Sequence, residues 1–389
     1  MGSTTTKNPA TETIGQPLIC GRRRRAAPGR VEEIGEHGLG GTSTTDFPQV
    51  DEACIATGHL GQWSSGPPSS ARCSSRSPAL SRDNRPVLTR LPELDLDEVD
   101  FAAPLDLPTG PVVGVSRRVL PESAAPLLER LAFTFAPGGP GRAWADLEPR
   151  PVEVSAVPAR VLLEVLAVTE HLPVADALVV ESLAYSMLLG AGDFRAWRDR
   201  TPARPVPEKA EPVRLERDGD RLTVTLDVPE RHNAFGRAVR DGLLAALDVV
   251  RLDATVREVR LVGAGPSFCS GGDLDEFGTA RDPALAHATR LDASAGRAVH
   301  GLRARMRPVL HGACIGAGIE VPAFADRVLA REGAWFCLPE LAFGLIPGAG
   351  GTVSLPRRIG RWRTACLALT GARLDLDTAL AWGLVDGRA

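Results

Sequence analysis

His311-Gly312-Ala313-Cys314-Ile315-Gly316-Ala317-Gly318-Ile319-Glu320 reads as the end of a strand, a run of small residues and the start of a helix. At a helix start the first backbone N–H groups have no partner within the helix, and where no bulky Cβ stands nearby they stay open to a ligand. Phe268-Cys269-Ser270-Gly271-Gly272-Asp273-Leu274 shows the same arrangement earlier in the chain. For either segment alone, a tight strand-to-helix turn accounts for the glycines. Facing one another, the two would form an anion trap, with N–H groups at Gly272 and Ala317 holding a carbonyl oxygen as negative charge develops on it. Better-known glycine motifs do not fit. Gly265-Pro266-Ser267-Phe268-Cys269 lacks the final glycine of a nucleophile elbow, Gly316-Ala317-Gly318 lacks the third glycine of a dinucleotide fingerprint, and Gly348-Ala349-Gly350-Gly351-Thr352 has no lysine for a phosphate loop.

Two carboxylates lie close to these turns in apolar company. Glu320 sits among Ile319, Val321, Pro322 and Phe324, and Glu340 between Trp335-Phe336-Cys337-Leu338-Pro339 and Leu341-Ala342-Phe343. Taken singly, each reads as a helix cap or a partner for Arg327, Arg331, Arg357 or Arg358. As a pair beside two glycine-rich turns they read differently, because two close carboxyl groups cannot easily both ionise and so divide into an acid and a base.

Working outward, the signals alternate. Residues 213–217 and 221–228 predict a hairpin around Gly219, 236–250 an amphipathic helix, 259–262 a buried strand, 284–305 a long helix and 308–314 another strand. Alternation of this kind predicts a layered α/β core. Residues 86–200 carry apolar stripes at helical spacing: Leu127, Leu128, Leu131 and Phe133 before Pro137-Gly138-Gly139-Pro140, then 161–168, then 177–189. They predict a small helical domain. Glu181, Ser182 and Tyr185 on the last stripe read as core residues with hydrogen-bond partners. Residues 201–212, with four prolines, suit an extended linker, and residues 1–85, rich in Ser, Thr, Gly and Pro, read as a disordered tail whose Arg22–Arg25 run is solvated.

Composition excludes several classes. The 389 residues carry 45 basic against 48 acidic side chains, a net charge of -3, which removes the footprint of a dedicated nucleic-acid binder. The seven cysteines form no C-x-x-C pair, so no disulfide scaffold and no metal site are expected. No stretch reads as a signal peptide or membrane span, and the match of Met1-Gly2-Ser3-Thr4-Thr5-Thr6 to an acylation pattern is too short to carry weight. With Lys7 and Lys209 as its only lysines, the chain has the arginine bias of a GC-rich genome and the profile of a bacterial cytoplasmic protein.

In Asn233-Ala234 before a helix, Phe268 to Asp273, Gly312 to Glu320 with Asp326, and Leu338-Pro339-Glu340 through Gly351, the chain resembles the crotonase superfamily of enoyl-CoA hydratases and isomerases over about residues 213–389. The resemblance implies an α/β fold, a spiral of ββα turns with two roughly perpendicular sheets, behind the helical domain and the tail. It also implies an acyl-CoA thioester substrate and no cofactor beyond the coenzyme A it carries. Position by position, Gly272 and Ala317 fall on the oxyanion-hole donors, and Glu320 and Glu340 on the acid/base glutamates. The family's usual glycine at the second donor is here an alanine, which matters little because only its N–H is used. Arg231 resembles a basic position near the coenzyme A phosphates; with Ala234, and with Leu274, Phe277 and Phe343 as lining of the acyl pocket or equally as core residues, it completes the expected substrate-binding set. Retention of both glutamates points to a hydratase. Isomerase chemistry, the cofactor-free oxygenation of dihydroxyphenylacetyl-CoA in relatives with an added N-terminal domain, and a catalytically silent acyl-CoA- or RNA-binding protein stand as alternatives. Family members run on through C-terminal helices that build trimers or hexamers. Either residues 86–200 take their place or this chain is a truncated form.

Overall fold

The computed structural model describes residues 87–389 except 206–208 and 281. The expected tail at 1–85 lies outside the described residues. The described residues belong to one compact unit.

The first third of the described chain corrects the expectation of a helical domain. β1 (Leu88–Arg90), β2 (Glu93–Asp95), β3 (Val113–Val115), a single turn α1 (Ala125–Leu128), β4 (Phe133–Phe135), β5 (Trp144–Ala145) and β6 (Glu153–Ser155) come before any long helix. β2, β3, β4 and β5 form a parallel sheet in that order, and β1 pairs antiparallel with β6. The apparent stripe Leu127, Leu128, Leu131, Phe133 is one helical turn followed by a strand. Phe133 and Phe135, a two-residue repeat, are both fully buried and meet edge to face at 5.0 Å. The other two stripes do form helices, α2 (Ala156–Thr169) and α3 (Val174–Leu189), succeeded by α4 (Gly192–Arg200).

Side chains tie this region to the C-terminal part of the chain. The Thr169 hydroxyl donates to the Thr352 carbonyl (2.8 Å), Trp382 Nε1 to Asp146 (2.6 Å), and the Arg363 guanidinium stands 4.8 Å from the Trp144 ring and 5.0 Å from that of Trp382. Of the expected linker, the described residues hold neither helix nor strand, and Arg204 within it pairs with Asp275 (3.1 Å).

From residue 213 the chain builds two sheets. β7 (Val213–Asp218) and β8 (Arg221–Leu226) form the expected hairpin, with Gly219 at φ 59°. The helix α5 (Arg237–Leu252) buries Val239, Leu243, Ala246, Leu247 and Val250, the single face that its i, i+3/i+4 spacing dictates. β9 (Glu258–Gly263) comes next. The long helix expected over 284–305 is two, α6 (Pro283–Asp292) and α7 (Ala295–Gly301), because Ser294 caps a new start with its hydroxyl accepting from the Arg297 N–H. The strand expected over 308–314 is also two: β10 (Met306–Leu310) and β11 (Ala313–Ile315). Gly312, at φ 54°, turns the chain from one sheet to the other between them.

The remainder comprises α8 (Ala317–Glu320), β12 (Leu329–Ala330), β13 (Trp335–Cys337), α9 (Gly351–Ile359), α10 (Arg361–Thr370), β14 (Leu374–Asp375), α11 (Leu376–Trp382) and β15 (Gly387–Arg388). The larger sheet runs β15-β12-β10-β9-β8-β7 and the smaller β11-β13-β14. The layered α/β architecture is thus present, and among the described residues no single helix is long and apolar enough to cross a membrane.

Candidate active site

The two glycine-rich turns lie side by side. A parallel bridge joins Cys269 to Cys314: the Cys269 N–H donates to the Ala313 carbonyl (3.2 Å) and the Ile315 N–H to the Cys269 carbonyl (3.0 Å). Gly272 stands three residues past the first cysteine and Ala317 three past the second, so the two N–H groups share a register. Gly271 (φ 95°) and Gly316 (φ 49°) precede them in conformations that favour glycine. A Cβ on Gly271 would stand 3.1 Å from the Ile315 carbonyl oxygen, and one on Gly316 would collide with the Glu340 carboxyl. The bridge from Phe235 to this turn uses the Gly271 carbonyl and the Asp273 N–H, which leaves the Gly272 N–H out of the ladder. Ala317 is the first residue of α8, where no intrahelical acceptor exists. Among the described residues neither N–H is donated to a protein acceptor.

Three carboxyl groups surround this pair, one more than the sequence predicts. Glu320, at the end of α8, accepts on Oε2 from the N–H groups of Ala349 and Gly351 (both 2.8 Å). Glu181, from α3, accepts on Oε1 from the Gly350 N–H (2.8 Å) and on Oε2 from the Thr352 N–H (2.9 Å) and hydroxyl (2.7 Å). Four successive N–H groups entering α9 are therefore dealt alternately to the two carboxylates. Gly350 at φ 107° permits the turn. Glu340 opens the single turn Glu340–Phe343; its Oε1 lies against Gly316 and its Oε2 is buried without a hydrogen-bond partner.

Electrostatics are set by this geometry. All three groups are at most 8% exposed, and burial pushes each of them up. Glu320 rises to about 7, restrained by its two N–H donors. Glu181 rises to about 8, since repulsion from Glu320 adds to burial and the Thr352 and Gly350 donors oppose both. Glu340, with Glu320 and Glu181 both repelling its charged form, rises well above the usual carboxylate range. Glu320 is thus the group prepared to ionise near neutrality and Glu340 the one that keeps its proton, with titration shared across the cluster.

Gly272, Ala317, Glu320, Glu340 and Phe277 line one cavity of about 210 Å³. Four expected residues do not line it. Arg231 is bound to Asp273 (2.7 Å) and Asp275 (2.9 Å), both nearly buried. Ala234 comes directly after Asn233, whose buried side chain accepts from the Val228 N–H (2.8 Å) and donates to the carbonyls of Ala264, Ser267 and Phe268, so this pair is a clamp on the turn. Leu274 is 37% exposed, and Phe343 packs on Trp197 at 5.1 Å. Conversely, Glu181, Ser182, Tyr185, Phe235 and Arg290 line the cavity although the sequence does not single them out as site residues. Their one signal is a polar triplet, Glu181, Ser182 and Tyr185, at i, i+1 and i+4 on an apolar helix. Among the described residues no group of three or more His, Cys, Asp or Glu is placed to hold a metal ion.

Two unpaired N–H donors and buried carboxyls lining one cavity form an arrangement that can hold a carbonyl oxygen while protons move beside it. Residues 219–387 match the family model described as enoyl-CoA hydratase/isomerase. The 1,2-epoxyphenylacetyl-CoA isomerase of Escherichia coli is 37% identical over 171 residues, 42% of this chain and 64% of that one. The 2,3-dehydroadipyl-CoA hydratase of the same organism is 32% identical over 167 residues, 42% of this chain and 64% of that one. An enoyl-CoA hydratase structure from Thermoplasma volcanium shares 31% identity over 46% of this chain and 72% of its own, with a TM-score of 0.44. The chain belongs to the enoyl-CoA hydratase/isomerase, or crotonase, superfamily, and it spans somewhat under two thirds of the length of these curated relatives.

Proposed function

We propose that the protein is an enoyl-CoA hydratase-type lyase that adds water across the double bond of a 2-enoyl-CoA thioester. The observation that carries this reading is the placing of Glu320 and Glu340, one held by N–H donors and one without a partner, in the cavity that the Gly272 and Ala317 N–H groups also line.

With the thioester oxygen between those two N–H groups, electron density is drawn from the double bond and the β-carbon becomes electrophilic. Ionised Glu320 takes a proton from water as its oxygen bonds to the β-carbon, and the electron pair of the double bond moves onto the thioester as an enolate. Protonated Glu340 then delivers its proton to the α-carbon and the carbonyl re-forms. Hydrogen and hydroxyl have been added, one carboxyl has gained a proton and the other has lost one. Exchange between them or with solvent restores the starting state. The division of labour needs Glu320 to ionise more readily than Glu340, as their environments dictate. The reading calls for no cofactor beyond the coenzyme A of the substrate.

Mixing the purified protein with trans-2-hexenoyl-CoA and monitoring the conjugated-thioester absorbance tests the proposal. Loss of absorbance with formation of the 3-hydroxyacyl product is expected. Migration of the double bond without uptake of water would make the protein an isomerase and overturn the hydratase assignment.

A further inference from the structure

One wall of the cavity is cationic, and the proposed hydration makes no use of it. Arg290, on α6, lines the same cavity as the three glutamates, and Glu181 is near enough to favour its charged form, yet among the described residues no carboxylate comes within ion-pair distance of it. Its terminal nitrogens donate to the Ala286 carbonyl (3.3 Å) and the Ser186 hydroxyl (2.6 Å), its guanidinium stands 4.9 Å from the centre of the Tyr185 ring, and its Nε is buried without a partner. A guanidinium carries five N–H donors, so most of this one's capacity is unspent. Burial lowers the affinity of the group for its proton. Glu181 offsets that only in part. A desolvated guanidinium with no carboxylate in contact and unspent donors is unfavourable unless something else supplies the acceptor.

The rest of the wall limits what that is. Leu178, Phe235, Phe277 and Leu291 are apolar, and the Tyr185 ring packs on Gly348, a contact that any Cβ there would prevent. A cavity of about 210 Å³ suits a short acyl chain or a single ring.

Resting on the acyl-CoA reading above, we propose that the acyl group received here carries an oxygen acceptor of its own, a carboxylate or a hydroxyl, and that Arg290 binds it. Arg290 is then a specificity-determining residue contributed by α6 and steadied by Ser186 and Tyr185 of α3.

Binding of saturated thioesters to the full chain, measured by titration calorimetry, tests this without requiring turnover. Hexanoyl-CoA, adipyl-CoA and 6-hydroxyhexanoyl-CoA differ only at the far end of the chain. A charge-assisted hydrogen bond predicts that one of the two oxygenated ligands binds roughly 10- to 100-fold more tightly than hexanoyl-CoA. Preference for adipyl-CoA assigns a carboxylate, and preference for the hydroxy compound assigns a hydroxyl. In Arg290→Met the ratio is expected to fall to about one, and in Arg290→Lys to be partly kept. Hexanoyl-CoA binding as well as both others in the wild-type protein overturns the proposal even if the variants do not fold. A preference lost in neither variant also overturns it. Oxygen-dependent binding with no consumption of any enoyl-CoA leaves Arg290 in this role and removes the hydratase reading, whereas hydration with no such preference does the reverse.

Discussion

Residues 213–389 and residues 87–200 both reach the cavity, by different means. The later region contributes backbone: the N–H groups of Gly272 and Ala317, fixed by glycines at φ 95° and 49° and by the Cys269–Cys314 bridge, together with two glutamates placed by the same turns. The earlier region contributes side chains from the face of α3, Glu181 and Tyr185, which its helical geometry only offers and which the loop 348–352 receives. A backbone site is written in glycines and spacing. A site presented by a helix face is written in one or two polar residues that any buried helix can carry, so the two regions differ in legibility as well as in chemistry.

The strongest test of this contrast falls on the later region. Glu340→Gln keeps the shape and removes the proton, and is expected to lower kcat for hydration by roughly 100- to 10,000-fold, the range general acid–base groups supply. Stopped-flow absorbance of an enoyl-CoA reads it. A loss of less than tenfold would mean that another group protonates the α-carbon, with Glu181 the next candidate.

Ala317→Pro comes next. Ala317 is the first residue of α8, a position that accepts proline because its N–H has no helical partner, so the change removes the donor and puts a ring carbon in its place. Loss of an oxyanion donor predicts a decrease in kcat of roughly 100- to 1000-fold with the fold retained, as judged by circular dichroism. Unchanged kcat would take Ala317 out of the site.

The layered α/β core, the hairpin, α5 and the four residues Gly272, Ala317, Glu320 and Glu340 are legible in the sequence because each rests on a local rule: a period of two or 3.6, or a glycine where the chain must turn. What is not legible depends on where the chain goes next. Leu127 to Phe133 resembles a helix because a turn and a two-residue strand repeat overlap in phase. Glu181 reads as a core residue with a hydrogen-bond partner, and in the structure it is one. Nothing local discloses that its partners are the very loop that also holds Glu320, or that Arg290 on α6 faces it.

The earlier region is tested through Glu181→Gln. The amide keeps the volume but removes a charge that raises Glu340 and one acceptor for the Gly350 and Thr352 N–H groups. A decrease in kcat of about tenfold is expected, together with a shift of the alkaline limb of the pH–rate profile to lower pH, because Glu340 then loses its proton more easily. A scaling of the rate with no shift would make Glu181 a purely structural cap. The same groups set the pH dependence of stability. A carboxyl whose folded pKa lies above its unfolded value binds protons preferentially in the folded state, so its contribution is complete below about pH 4.5 and is lost as pH rises through the folded value. With Glu320 near 7 and Glu181 near 8, Tm is expected to fall between pH 5 and 8, and Glu181→Gln to flatten that fall.

The smallest catalytic effect is expected at Arg231, where sequence and structure point to different roles. Placed near the coenzyme A phosphates by resemblance, it is found donating to Asp273 and Asp275, whose side chains are 5% and 7% exposed, while its own is 22% exposed. Those carboxylates sit at the exit of the Gly272 turn, and Asp273 Oδ1 also accepts from the Asp275 N–H (3.1 Å). Arg231→Ala leaves two nearly buried acceptors short of a donor, at a cost of roughly 1–3 kcal/mol in stability. Arg204 still reaches Asp275, which keeps the loss toward the lower end. Since the guanidinium is spent on holding the turn, KM for the enoyl-CoA is expected to change by less than about twofold while Tm drops by a few degrees. A tenfold rise in KM with Tm unchanged would reverse the assignment. It would mean that the arginine leaves its aspartates for the coenzyme A phosphates, and that this corner of the site rearranges when substrate binds.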